Sequence, residues 1–293
     1  MTIRIGVHAN NPSLLLLSHL DHLLAGIEVH RYTDGTTTGR LLADGVFDVG
    51  GTGSTPPLAA QAAGLPIVYA AASAPRPGHG ALLVAKDGPV TGVADLAGRP
   101  VAFGVGSWQT HFLAKLLAVA GLSYRDIEPR RATSDSGPDL LTGVVAGWVA
   151  QGAELVEAER SGRYTRLAVT GEVITDRSVY FTSRYVAEER PEVVATVVKA
   201  LREADRWAVE HPREAAEITA AALGGTAGSW ETALKRLPWA LEPVTPEFLA
   251  EQQEGADILA AAGYLPGPID VRAAVVPALN TAVASVLAEA AAR

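Results

Sequence analysis

Ser107, Trp108, Gln109 and Thr110 stand between a glycine-rich loop and an apolar helical run, in the stretch GVGSWQTHFLAKLLAVAGL from Gly104 to Leu122. A strand-like run, Pro100 to Phe103, comes just before. Residues of these types open a helix in one of two ways. Ser107 is a plain N-cap. Alternatively the first N–H groups, which lack intrahelical acceptors, join the helix dipole to hold a sulfonate, phosphate or carboxylate, and Ser107 adds its hydroxyl. His111 lies four residues on, on the same helical face. It is either a buried, hydrogen-bonded ring or a base facing a ligand.

Four other stretches carry similar chemistry. GGTGSTPP, Gly50 to Pro57, ends a strand in glycines and starts a helix at proline; Thr52, Ser54 and Thr55 are its donors for a second anion seat. HANNPS, His8 to Ser13, supplies Asn10 and Asn11, whose amides both donate and accept. His8 titrates near neutrality, and His8 with His111 would make an acid–base pair if two halves of the protein closed on each other. Arg76 and His79 lie in SAPRPGHG, where Arg76 can clamp an anion or sit solvated. TSDSGPD places Ser134, Asp135 and Ser136 at a further helix start, as caps or cleft groups. Tyr180 and Thr182 lie on a short strand and either line a cleft or pack in a core, while Trp148 lies on a brief strand of its own. Trp108 and Trp148 together fit a ligand with an apolar or aromatic body.

Other chemistries are excluded. The 293 residues contain no cysteine, so there is no disulfide, thiolate metal site or cysteine nucleophile. His19 and His22 have no obvious third ligand, and no P-loop or dinucleotide fingerprint occurs. No metal and no cofactor is expected. A formal net charge of -8 argues against nucleic acid. No stretch reaches the length of a membrane span. No basic and apolar leader opens the chain. As written the protein is expected in the cytoplasm, and in the periplasm or outside the cell if a signal peptide has been trimmed. A monomer or weak dimer is expected.

To position these residues the chain must alternate strands and helices. Strands are predicted near residues 2–7, 27–32, 47–51, 67–72, 79–86, 100–103, 148–150, 164–169 and 179–183, with helices at 12–24, 36–43, 139–147 and 155–160 among them. This alternation predicts an α/β fold with parallel sheets covered on both faces. From Arg190 onward the chain reads as helical. The strands near 79–86 and 178–184 would cross between two lobes, giving lobe 1 as residues 1–84 and 182–293, and lobe 2, inserted, as 85–181. The cleft between them is the expected ligand site.

FDVGGTGSTPPLAAQAAGLPIVYAAA, DLAGRPVAFGVGSWQTHFLAKLL, EADRWAVEHPREAA and ADILAAAGYLPGPIDV resemble, in this order, the substrate-binding proteins for aliphatic sulfonates, nitrate and taurine. The resemblance implies a two-lobed periplasmic-binding-protein type II fold, a small organic anion as ligand and an ABC permease as partner if the chain is exported. The same superfamily is similar to enzymes such as an aromatic sulfinate desulfinase and thiamine-precursor synthases. The sulfonate binders usually carry an Asp–Ala–Trp and a Trp–Asp–Pro stretch where this chain reads VVAGWVAQGAEL, keeping Trp148 but placing Gln151 near the lost second tryptophan. The desulfinase cysteine has no counterpart. Two functions therefore stay open: a solute-binding protein, and an enzyme of lyase or hydrolase type using His8 or His111.

Overall fold

The computed structural model describes residues 2–291. In chain order the first part forms β1 (Ile3–His8), α1 (Pro12–Leu17), β2 (Ile27–Tyr32), α2 (Thr38–Ala43), β3 (Val49–Thr52), α3 (Thr55–Ala62) and β4 (Ile67–Ser73). The middle forms β5 (Gly80–Ala85), β6 (Pro100–Phe103), α4 (Trp108–Val119), β7 (Glu128–Arg131), α5 (Ser136–Thr142), β8 (Gly147–Gln151), α6 (Gly152–Ser161), β9 (Tyr164–Val169) and α7 (Thr170–Val173). The chain ends with β10 (Val179–Ser183), α8 (Arg184–Glu189), α9 (Pro191–Glu210), α10 (Pro212–Leu223), α11 (Ala227–Leu234), β11 (Leu241–Glu242), α12 (Pro246–Ala261) and α13 (Pro277–Ala291).

The strands make two sheets, ordered β11-β4-β10-β3-β1-β2 and β7-β6-β8-β5-β9. Both are mixed, not wholly parallel as the alternation predicted. β10 runs antiparallel to β3 and β4, and β5 antiparallel to β8 and β9. The reason is the route of the chain. β5 and β10 each arrive from the other sheet, without a helical crossover that would return them to the same end. β5 pairs on both sides within the second sheet, so the passage between sheets falls before Gly80 and not within that strand.

Each sheet is covered on both faces. Leu14, Leu17, Val194, Val197, Leu201 and Val283, from α1, α9 and α13, pack on one face of the first sheet. The valines and leucine of α9 recur at three- and four-residue spacing, which makes one apolar stripe. Leu42, Leu58, Phe248 and Leu259, from α2, α3 and α12, cover the other face. In the second sheet, β5 divides its side chains by the two-residue period of a strand. Leu82 and Val84 join Phe112 and Leu117 of α4, while Ala81 and Leu83 join Leu140 and Leu155 of α5 and α6.

Two predicted helices are shorter in the structure. The run 12–24 ends at Leu17 with Ser18 as cap, because His19 and Leu20 turn back on Leu16 and Leu17 through backbone bonds of 2.9 and 3.1 Å. The run 139–147 ends at Thr142, where Gly143 takes φ 78° and Gly147 already begins β8. The C-terminal helices also bridge the sheets. Arg160 of α6 donates to Ser229 and Thr232 of α11 at 3.3 and 2.9 Å, and Arg236 pairs with Glu159 at 2.6 Å.

Candidate functional site

The C-terminal ends of β1, β2, β3 and β6 turn toward a cleft between the two sheets, the usual place for ligands in open α/β folds. The cleft encloses about 160 Å³. From the sequence-predicted residues, His8, Asn10, Asn11, Thr52, Arg76, Ser107, Trp108 and Gln109 line it. They are joined by residues not singled out for ligand contact: Asp34 and Thr36 after β2, Arg131 at the end of β7, and Ser178 before β10.

On the α4 side the loop holds itself together. Ser107 donates to Gly104 O at 2.7 Å and accepts from Gln109 N at 3.2 Å. Its hydroxyl proton is therefore used inside the loop. Gln109 Oε1 accepts from Gly104 N at 2.6 Å, and Thr110 Oγ1 from Gly106 N at 2.8 Å. Gly106 sits at φ 86°, with Thr36 of the opposite wall where a Cβ would stand. Trp108 Nε1 and Gln109 Nε2 both donate to Gln151 Oε1, at 3.0 and 3.1 Å. Gln151 thus fixes two cleft residues from the end of β8. The positive end of α4 remains turned to the cleft.

On the opposite side, Asn11 caps α1 through Oδ1, which accepts from Leu14 N at 3.1 Å. Its Nδ2 is buried and has no acceptor in the protein. Arg76 is also buried, with 4% exposure. It pairs with Asp176 at 2.8 Å and donates to Ser178 Oγ at 3.1 Å, and its Nε has no acceptor. Asp176 accepts from His79 Nδ1 at 2.7 Å as well. Burial alone would raise the Asp176 carboxyl, but Arg76 and His79 beside it outweigh that and hold it below the usual carboxylate range. Burial, reinforced by the Arg76 charge, lowers His79. His79 is therefore held neutral against Trp108, with ring centroids 5.0 Å apart.

His8 Nε2 donates to Thr33 O at 3.1 Å, and burial lowers its pKa. The free Nδ1 of the neutral ring is an acceptor. His8 thus offers an anion no proton.

The structure places seven predicted residues elsewhere. Ser54 and Thr55 are buried at the start of α3, and Ser54 Oγ faces His111 Nδ1 at 3.4 Å. Pro56 and Pro57 take away two of the N–H groups that an anion seat on α3 would use. Thr110 is fully buried behind the Gly106 loop. Trp148 belongs to the core of the second sheet, edge-on to Tyr164 at 6.1 Å, because its position on β8 points it toward α5. Tyr180 is in the core of the first sheet, its hydroxyl 3.4 Å from Asn11 Oδ1. Ser134 is exposed ahead of α5. His111 packs against Gly255 of α12. It is off the cleft wall, so it does not face His8 across the cleft as the acid–base pair required. No group of metal-ligating side chains occurs among the described residues.

The sequence matches the family described as NMT1/THI5 like over residues 25–215. The chain belongs to the NMT1/THI5-like family. A putative aliphatic sulfonates-binding protein of Escherichia coli strain K12 is 31% identical over 230 residues, spanning 78% of this chain and 72% of that protein. The crystal structure of the periplasmic aliphatic sulphonate binding protein SsuA from Escherichia coli superposes with a TM-score of 0.83 at 28% identity, covering 94% of this chain and 92% of that one. The alkanesulfonate-binding protein SsuA from Xanthomonas axonopodis pv. citri, bound to MOPS, gives 0.81 at 27% identity, over 94% and 98%. The two mixed sheets of this NMT1/THI5-like chain therefore form the two-lobed periplasmic-binding-protein fold.

Proposed function

We propose that this protein binds a small organic sulfonate in the cleft, as the exported solute-binding component of an ABC import system. The observation that carries this reading is the pair of buried donors on the cleft wall, Asn11 Nδ2 and Arg76 Nε, neither with an acceptor in the protein. A buried donor left unpaired costs about 1–3 kcal/mol. An oxyanion with several acceptor oxygens satisfies both, opposite the positive end of α4. The sulfonate-binding relatives support the same ligand class.

Arg76 carries its charge with Asp176, so the pair is neutral overall and the site holds its anion chiefly through hydrogen bonds. The lobes act as two bodies in this reading. The sheet of β1–β4, β10 and β11 carries one wall, and the sheet of β5–β9 the other, with closure about the segments before β5 and before β10. This shifts the division of 1–84, 85–181 and 182–293 so that β5 moves with the inserted lobe and β10 with the first.

Titration calorimetry with methanesulfonate and with acetate tests the ligand class. A saturable one-to-one heat with methanesulfonate, at least about tenfold tighter than acetate, is expected from the additional acceptor oxygen, since one hydrogen bond to a charged group contributes about 1.5–3 kcal/mol. Equal affinity for both, or no heat with methanesulfonate, overturns the assignment.

A further inference from the structure

We infer that a second cavity, bounded by α6, α10 and α11, takes the apolar tail of the ligand whose head lies in the cleft; this rests on the sulfonate reading above. The cavity encloses about 30 Å³. Leu155, Leu223, Trp230, Ala233 and Leu237 form its wall. It meets the cleft at Asn10, His79 and Gln151, which line both spaces. A chain anchored by its head between Asn11 and α4 would pass this neck and end among the leucines.

Beyond Asn10 at the neck, the polar side chains around the cavity are held within the protein. Trp230 Nε1 donates to Gly224 O at 2.6 Å, so the indole offers the cavity only carbon. Thr219 donates to Ala215 O at 2.7 Å. Arg236 is paired with Glu159, and Gln151 Oε1 is held by Trp108 and Gln109. Gly152 shapes the wall: it takes φ 58° and the Trp230 ring lies where its Cβ would be. A tail that buries methylenes here gains their transfer free energy. An ammonium would be desolvated with no partner. Space of about 30 Å³ is about two solvent-sized spheres, enough for about two methylenes. The ligand class is thus a sulfonate with a short, uncharged aliphatic end.

The test is a series of linear sulfonates, methane- to hexanesulfonate, titrated into the full chain. Affinity is expected to rise about fourfold per methylene over about two methylenes, then level off. Replacing the terminal methyl of the best ligand by an ammonium is expected to weaken binding by about 100-fold. Leu223→Trp fills the cavity, and the ratio of hexane- to methanesulfonate affinity is expected to fall to about one. If methanesulfonate binds but length brings no gain, if the ammonium is tolerated, or if the gain survives in Leu223→Trp, the tail cavity is overturned and the head site stands. If no sulfonate binds, the reading on which the inference rests fails, and the inference with it.

Discussion

Arg76→Met is expected to lower stability by about 3–5 kcal/mol at pH 8, the usual cost of removing one partner of a buried ion pair. For a chain of this size that is a fall in Tm of about 5–8 °C. The guanidinium is the nearest cation to Asp176, whose carboxylate is fully buried. Without it, only His79 remains to compensate the charge. The loss then depends on pH with a defined sign. In the wild type, burial and the Arg76 charge both lower His79. Removing Arg76 leaves Asp176 to raise it. A histidine raised above its unfolded pKa stabilises the fold below that value and loses the effect as pH rises through the folded pKa. The variant is therefore expected to be less impaired at pH 5.5 than at pH 8. Arg76→Met with Asp176→Asn is expected to recover part of the stability, since it leaves no uncompensated charge. Urea unfolding of the wild type and both variants at both pH values checks this; a deficit equal at both would exclude the exchange of Arg76 for protonated His79.

His111 is expected to make the protein lose stability in acid. Burial, helped by the nearby Lys115 ammonium, lowers its pKa to about 4, with Glu254 acting in the opposite direction. It lies between Ser54 at the start of α3 and Gly255 of α12, near the Lys115–Glu254 pair at 2.7 Å. In the unfolded chain the ring takes up a proton as pH falls below about 6.5, while the folded ring stays neutral down to about 4. The unfolded state therefore binds more protons throughout that window, and stability rises with pH across it. The contribution is full above about 6.5 and falls by about 3 kcal/mol by pH 4. Because α4 packs chiefly on the second sheet and α12 on the first, this cost falls on the contact between them. His111→Gln, which does not titrate, is expected to flatten the slope between pH 4.5 and 6.5. An unchanged slope in the variant would assign the acid sensitivity to other groups.

Much of the fold was legible because strands of this type announce themselves. Ile27–Tyr32, Pro100–Phe103, Tyr164–Val169 and Val179–Ser183 are apolar or alternating runs between turn residues, and their observed bounds are the predicted ones. Strand direction was not legible. Nothing within Gly80–Ala85 or Val179–Ser183 says that the chain enters from the opposite sheet and so pairs antiparallel. The cleft residues that follow strand ends, Asn10, Asn11, Thr52 and Ser107, could be found by asking what stands after each strand. The same question put to β2 would have found Asp34 and Thr36, in the turn YTDGTT. The strands of Trp148 and Tyr180 are buried almost throughout, so alternation does not tell which side chain faces the cleft and which the core. Asp176 had no local signal. Its role comes from Arg76 and His79, about a hundred residues earlier in the chain, and only the fold brings the three together.

In the proposed complex Asn11 Nδ2 donates to the bound oxyanion. The most direct test is to titrate methanesulfonate into the wild type and Asn11→Asp side by side. Aspartate keeps the acceptor that caps α1, so the helix start is retained. It replaces the cleft donor by a carboxylate oxygen, which repels an anion. Binding in the variant is expected to be at least about 100-fold weaker, the cost of one lost charged hydrogen bond together with like-charge repulsion. Affinity within about threefold of the wild type, less than one ordinary hydrogen bond is worth, would contradict it.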